Sequence, residues 1–334
     1  MNWAIQTSFI GDAVLSLPFL HRFFESNNEK LKLIAAPRNE GIFRLARERG
    51  LSPYKDRFEI VSWDKKKSRN PLTLLSLADE WSAEKPEKVY CLQRSFSSAL
   101  LALFSKSPER IGFSTGAASF LYTHCVSRDW DSGRLEIEKN LDLLRAFHPV
   151  KAWEDPSPSL LGSSKSQKGV VAFSLSSPWG TKEWDLGEAE KLMRKLMSEG
   201  IEVWILGDQK FIPKAALLEK NLESRLLKNF TGKTTLVEWV DLIAQAGALV
   251  SGDSAAVHVA SDLNIPIVAL FGPTVPEFGF APWRKNARVL SLDMSCRPCD
   301  IHGPAICPLK HHRCMKELSA DWVHQSLQEL LGLS

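Results

Sequence analysis

The 334-residue chain predicts an α/β protein made of two doubly wound, mostly parallel domains. Three observations carry that prediction. Short β-branched runs alternate with amphipathic helical stretches in both halves, the pattern of parallel strands joined by crossover helices. A Pro/Ser/Gly/Lys stretch with no apolar period, Asp155-Pro156-Ser157-Pro158-Ser159 and then Gly162 to Gly169, interrupts the alternation once, as a linker does. The length suits two domains of about 150 residues, each able to bury its own core. With 44% hydrophobic and 24% charged residues, a disordered chain, a collagen-like repeat and a small disulfide scaffold are excluded.

The elements follow in order. Strands are expected at Asn2–Gln6, Leu31–Ala35, Phe58–Trp63 and Lys88–Leu92, and helices at Asp12–Glu25, Glu40–Arg49, Leu72–Trp81, Ser97–Phe104 and Leu135–Phe147. Pro18 bends the first helix or sits close to its first turn. After the linker, strands are expected at Val170–Leu175, Glu202–Leu206, Leu226–Phe230, Ala248–Gly252 and Pro266–Phe271. Helices fall at Gly187–Glu199, Leu236–Ala246, Ala255–Leu263 and Ala320–Leu331. The domains are residues 1–160 and 169–318, with 319–334 a terminal helix that packs back toward the first. No internal repeat is visible in the sequence. Two such domains imply a cleft, with ligands outside the carboxyl ends of the strands.

Charge and composition narrow the partners. A net charge of +3 excludes a generic polyanion binder, and no nucleic acid is expected. Residues 1–150 carry 22 Lys/Arg against 18 Asp/Glu, and residues 284–316 carry 7 against 2. These basic stretches are either ordinary solvated faces or surfaces toward an anionic ligand or membrane. No apolar run approaches the roughly 18 residues of a membrane helix. The start, Met1-Asn2-Trp3-Ala4-Ile5, lacks a basic leader, and Gly11 and Asp12 interrupt any signal core. Cys91 and Cys125 stand singly in apolar stretches, like thiols in a reducing compartment. The expectation is a soluble, cytoplasmic protein.

Four stretches carry candidate chemistry. The first strand runs into Thr7-Ser8-Phe9-Ile10-Gly11-Asp12 at a helix start. Gly11 permits a tight turn, and Asp12 is either an N-terminal capping carboxylate or a general base facing the cleft. The second domain's first strand leads into Ser176-Ser177-Pro178-Trp179-Gly180-Thr181-Lys182-Glu183-Trp184, where Lys182 with Ser177 and Thr181 offers a cation and hydroxyls to a diphosphate. In Gly252-Asp253-Ser254-Ala255-Ala256-Val257-His258 an apolar strand stops and a small-residue helix begins. Asp253 or Ser254 caps that helix, its dipole end suits a phosphate, and His258 shares the Ser254 face or is a core histidine. Gly272-Pro273-Thr274 makes a further turn on the same rim. Cys296-x2-Cys299-x7-Cys307-x6-Cys314, with His302, His311 and His312 interleaved, is the zinc candidate, although its second pair lacks C-x-x-C spacing. The Asp129-Trp130-Asp131 carboxylate pair reads as surface. No G-x-G-x-x-G follows the first strand and no G-x-x-x-x-G-K-[ST] occurs, against dehydrogenases and P-loop enzymes.

Taken together, the blocks Ser8-Phe9-Ile10-Gly11-Asp12-Ala13-Val14-Leu15 with Leu17-Pro18, Gly180-Thr181-Lys182-Glu183-Trp184, Gly252-Asp253-Ser254-Ala255-Ala256-Val257-His258-Val259-Ala260 and Val268-Ala269-Leu270-Phe271-Gly272-Pro273-Thr274 resemble the ADP-heptose:lipopolysaccharide heptosyltransferases, glycosyltransferase family 9. Val89–Phe104 and Arg110-Ile111-Gly112-Phe113 look more like the heptosyltransferase II branch. The resemblance implies a GT-B architecture, two Rossmann-like domains with the active site between them. It also implies metal-independent, cofactor-free, inverting transfer of heptose from ADP-L-glycero-D-manno-heptose to the Kdo/heptose–lipid A inner core, on the cytoplasmic face of the inner membrane. Carried onto this chain, Asp12 becomes the base, on a loop with Ser8 and Gly11, and Lys182 neutralises the departing ADP. Ser177, Thr181, Thr234, Thr235, Asp253, Ser254, Ala255, Ala256 and His258 hold the donor. Where the family has glycine after Asp-Ser this chain has Ala255, whose β-carbon narrows the donor's approach. The alternatives are another nucleotide-sugar enzyme of the same architecture, a non-catalytic sugar- or nucleotide-binding relative, and a zinc-dependent interaction module. Removing Asp12 is expected to abolish turnover with ADP still bound, and removing Lys182 to weaken donor use far more than it alters the fold.

Overall fold

The structure is a computed structural model that describes residues 1–65, 70–81, 85–116, 118–129, 132–155 and 157–332. The chain divides into two compact units, Met1–Glu154 and Asp155–Ser334. In the first, β1 (Asn2–Gln6), α1 (Ile10–Ser26), β2 (Leu31–Ala35), α2 (Glu40–Glu48), β3 (Phe58–Ser62), α3 (Pro71–Trp81), β4 (Lys88–Cys91), α4 (Phe96–Phe104), β5 (Glu109–Phe113), β6 (His124–Val126) and α5 (Glu136–Arg145) follow one another. Every residue of β1 and β2 is buried, the polar Asn2, Gln6 and Lys32 included, as in a parallel sheet covered on both faces. Strands β5 and β6 are not legible in the sequence. One begins with two half-buried charged residues, and the other has three residues, two of them exposed. Pro18 lies in the interior of α1, where it cannot donate to the Val14 carbonyl. Next to that gap, Asn140 of α5 donates to the Leu15 carbonyl at 3.2 Å.

The second unit contains β7 (Gln167–Ser174), α6 (Leu186–Ser198), β8 (Glu202–Leu206), α7 (Ile212–Leu222), β9 (Leu227–Asn229), α8 (Leu236–Gln245), β10 (Ala246–Gly252), α9 (Ala255–Asp262), β11 (Ile267–Phe271), β12 (Ala287–Ser291), α10 (Arg313–Lys316) and α11 (Ala320–Leu331). Its helix α7 and strand β12 are also absent from the sequence reading: α7 exposes Ile212 and Leu217, and β12 is a largely solvated edge strand.

Both sheets are six-stranded and parallel, in the orders β3-β2-β1-β4-β5-β6 and β12-β11-β10-β7-β8-β9. Counted within each unit, the two orders are the same, 3-2-1-4-5-6, so the halves repeat in topology where the sequence shows no repeat.

Two expectations about domain edges change. The first half of the expected linker is fastened to the second unit. Buried Asp262 accepts from the Ser159 hydroxyl at 2.9 Å and from the backbone N–H groups of Leu160 and Leu161 at 2.9 and 2.8 Å. Arg284 reaches Asp155 at 2.9 Å and the Ser157 carbonyl at 2.8 Å. The boundary therefore falls at 154/155, not near 160. Helix α11 packs on α6 and on β10, β11 and β12, burying Ala320, Val323 and Leu327 in the second unit's core. Its apolar face is covered there. Trp130 and Asp131 of the carboxylate pair lie outside the described residues. Among the described residues no helix is long and apolar enough to cross a membrane.

Candidate active site

In a sheet of this order, loops leave in opposite directions between the first and fourth strands, opening a crevice at their carboxyl ends. In the second unit that point lies between β7 and β10. The loop after β7 carries Lys182 on a three-residue 3₁₀ turn, and the turn after β10 carries Asp253 and Ser254. Gly252 lets the two approach: a Cβ there would sit 2.5 Å from the Lys182 carbonyl oxygen. The Lys182 ammonium meets Asp253 Oδ2 at 2.5 Å, and the Thr274 hydroxyl donates to the same oxygen at 2.7 Å. Lys182 and Asp253 are both only 7% exposed. The sequence reads Lys182 as a cation offered to a diphosphate or as an exposed turn lysine paired loosely with Glu183, which in the fold pairs with Lys214. The fold instead buries Lys182 against Asp253, which holds the ammonium in place before any anion arrives.

Ser254 caps α9, accepting from the Ala256 N–H at 3.3 Å, and its hydroxyl lies 2.9 Å from that of Ser251. The first turn of α9, Ala255 and Ala256, thus begins beside the Lys182–Asp253 pair with its positive dipole end toward the crevice. His258, one turn on, is buried, its ring parallel to Trp283 at 6.5 Å, and its Nδ1 finds no hydrogen-bond partner among the described residues. Burial pushes its pKa down to about 4, with Asp253 pulling up and Lys182 adding to the fall. The folded protein therefore holds a neutral imidazole, while the unfolded chain protonates near 6.5. Stability tied to this residue is fully present above pH 6.5 and is lost as pH falls toward 4, by about 3 kcal/mol at most. Urea unfolding of the protein and of His258→Gln at pH 7.5 and 4.5 checks this. The variant should lose less stability on acidification, and equal losses would contradict it.

The neighbouring hydroxyls have structural duties. Ser177 Oγ accepts from the Trp179 N–H at 3.1 Å. Thr181 is buried and its hydroxyl donates to the Pro304 carbonyl. Thr235 caps α8 in a reciprocal box with Glu238, at 2.8 and 3.3 Å, after β9 at the sheet edge beside Thr234.

In the first unit the corresponding point lies between β1 and β4. Gly11 is the second residue of α1, so its part is helical rather than a left-handed turn. Asp12 accepts the Phe9 N–H at 3.1 Å from the first turn of α1, which makes it the backward half of an N-terminal cap. Ser8 and Thr7 are tied to Gln93 at the exit of β4, so the β1 and β4 loops form one rim. On that rim Arg94, Ser95, Phe96, Phe113, Thr115 and Tyr122 help line a cavity of about 230 Å³ with no carboxylate in its wall among the described residues. Beneath Asp12, Glu136 is buried against Arg128. Burial raises its carboxyl to about 7 although Arg128 opposes this, and the Asp12 charge adds to the rise. Glu136, Arg128, Gln93 and Arg94 were not singled out in the sequence. The available signal was the i, i+3, i+4 set Glu136, Lys139 and Asn140 on α5, all buried.

The zinc candidates do not converge. All four cysteines are free thiols, and among the described residues no group of three or more His, Cys, Asp or Glu side chains is placed to hold a metal. Cys299 Sγ turns to the Cys296 carbonyl at 3.4 Å, Cys314 is buried beside Gly272, and Cys307 faces backbone N–H groups of residues 309–312. The segment packs around the Lys182 loop instead.

Two Rossmann-ordered sheets in one chain, one with a lysine–aspartate pair at a helix N-terminus on its switch point, define the GT-B class of glycosyltransferase. Residues 75–304 match the model of glycosyltransferase family 9 (heptosyltransferase), and the chain belongs to that family. It is 30% identical over 265 residues to lipopolysaccharide heptosyltransferase 2 of Salmonella typhimurium, covering 73% of this chain and 72% of that protein, and equally so to the Escherichia coli protein of that name. Its fold matches the E. coli ADP-heptose lps heptosyltransferase II structure with a TM-score of 0.75 at 22% identity, over 100% of this chain and 99% of that one. A family 9 glycosyltransferase from Veillonella parvula matches at 0.80 and 19%, over 99% and 97%.

Proposed function

We propose that the protein transfers heptose from ADP-L-glycero-D-manno-heptose to the inner core of lipopolysaccharide by a single, inverting displacement that needs no metal. The observation that carries this reading is the Lys182–Asp253 pair beside the capped start of α9, a site built for a diphosphate. Inversion requires a base on one face of the anomeric carbon and a stabilised leaving group on the other. Asp12 takes the acceptor hydroxyl's proton, the work of a general base. Lys182 and the α9 dipole supply the positive charge that the departing ADP needs. Ala255, Ala256 and His258 line the phosphate side, Thr234 and Thr235 the nucleoside side, and Ser177 and Thr181 shape the Lys182 loop. The names of the relatives support the donor and the acceptor.

The acceptor is then a lipid-anchored oligosaccharide, and the protein works at the cytoplasmic face of the inner membrane. Phe96 and Phe120, 52% and 75% exposed, support a peripheral contact beside the Arg94 cavity. The test offers ADP-heptose and other ADP-, UDP- and GDP-sugars with a heptose-deficient core lipid, and weighs the product by mass spectrometry. Elongation is expected with ADP-heptose. Elongation only with another donor overturns the donor assignment, and ADP binding without any transfer points to a non-catalytic relative.

A further inference from the structure

We propose that His312 is a positioning residue for Lys182, acting through the Thr181 carbonyl from a strap formed by the Cys/His-rich segment; the inference rests on the donor-site reading above. The strap is anchored at both ends on the exit of β11. At its start the Arg297 guanidinium donates to the carbonyls of Phe271 and Thr274, at 3.0 and 2.7 Å, and to those of Gly272 and Leu292. The Cys299 N–H adds a bond to the Pro273 carbonyl at 2.9 Å. At its end Met315 is fully buried against Gly272, in space that a Cβ would fill.

Between these anchors the strap holds the loop after β7. The His302 ring stacks on Trp179 at 5.5 Å, and the Lys182 ammonium lies 5.3 Å over the Trp179 ring. Pro304 accepts the Thr181 hydroxyl, and the position a Cβ of Gly303 would take is 3.4 Å from Lys182 Cε. His312 Nε2 lies 2.7 Å from the Thr181 carbonyl oxygen. A carbonyl can only accept, so Nε2 carries the proton.

His312 itself has φ +50° and ψ +30°, a left-handed conformation that a residue with a β-carbon adopts at a cost. Such a backbone persists where its surroundings hold it, here by the bond to Thr181 and by the start of α10, where Met315 and Lys316 donate to the His312 carbonyl. The need is physical. A lysine on a three-residue 3₁₀ turn has a long, entropically mobile stem. A carbonyl clamped one residue earlier removes most of the turn's freedom.

The variants that discriminate are His312→Asn and His312→Gln. Asparagine tolerates the left-handed backbone but is too short to reach Thr181, whereas glutamine places an amide N–H about where Nε2 lies. ADP affinity should fall about tenfold in His312→Asn and stay within about threefold in His312→Gln. In a Lys182→Met/Asp253→Asn background His312→Asn should change ADP affinity less than about twofold. A merely structural histidine predicts the reverse ranking, or the same loss in both backgrounds, and either overturns the proposal. Should the unaltered protein bind no ADP, the donor-site reading fails on its own. The strap is then read from the rate of reductive methylation of Lys182 by peptide mass spectrometry. A several-fold rise in His312→Asn alone supports the proposal, and an unchanged rate overturns it.

Discussion

Replacing Asp12 by asparagine removes sugar transfer and leaves ADP binding intact. Asparagine is the informative choice because its carbonyl oxygen still accepts the Phe9 N–H, so the α1 cap survives while the proton acceptor is lost. Loss of a positioned general base lowers turnover by about a hundredfold to ten-thousandfold. The groups proposed to hold ADP all belong to the second unit, so calorimetric ADP affinity should equal that of the unaltered protein. Turnover near normal in Asp12→Asn would remove the residue from the base role, and a parallel loss of ADP affinity would mean a damaged fold instead.

Lys182→Met destabilises the fold as well as abolishing activity, contrary to what the sequence suggests. Its ammonium is the charge partner of Asp253, which is nearly buried and also accepts the Thr274 hydroxyl on the same oxygen. Removing one member of a buried pair leaves an uncompensated charge, a loss of about 3–5 kcal/mol. Neutralising the other member in Lys182→Met/Asp253→Asn should restore most of that stability without restoring transfer. Urea unfolding of the three proteins measures it. A single variant as stable as the parent, or a double variant no better than the single, would contradict the pairing.

What the sequence revealed depended on how local the cause was. Strands β1, β2 and β7 are legible because each carries a short buried apolar stretch, Trp3-Ala4-Ile5, Leu33-Ile34-Ala35 and Val170-Val171-Ala172-Phe173. β6 has three residues and β12 faces solvent, so neither carries a period, and both are held by their neighbours' ladders. Asp12, Lys182, Asp253 and Ser254 could be picked out because each follows a strand end at a helix or turn start. Their partners could not. Lys182 and Asp253 stand 71 residues apart, and Thr181 and His312 131. The cysteine spacing suggested a metal because spacing is all a sequence offers; packing around Gly272 and the Lys182 loop is a tertiary property. The Thr235 hydroxyl also serves the α8 cap through Glu238 three residues on, a local pairing legible in the Thr-x-x-Glu spacing.

The stereochemistry of the transferred heptose tests the mechanism most directly. NMR of the elongated core oligosaccharide gives the anomeric configuration of the new bond against that of the donor. One displacement, with the Asp12 carboxylate drawing the proton from the attacking hydroxyl while ADP departs toward Lys182, gives the inverted anomer alone. Retention of configuration would require attack from the leaving-group face or a second displacement with a carboxylate as nucleophile, and would contradict the role of Asp12 as a base in a single displacement.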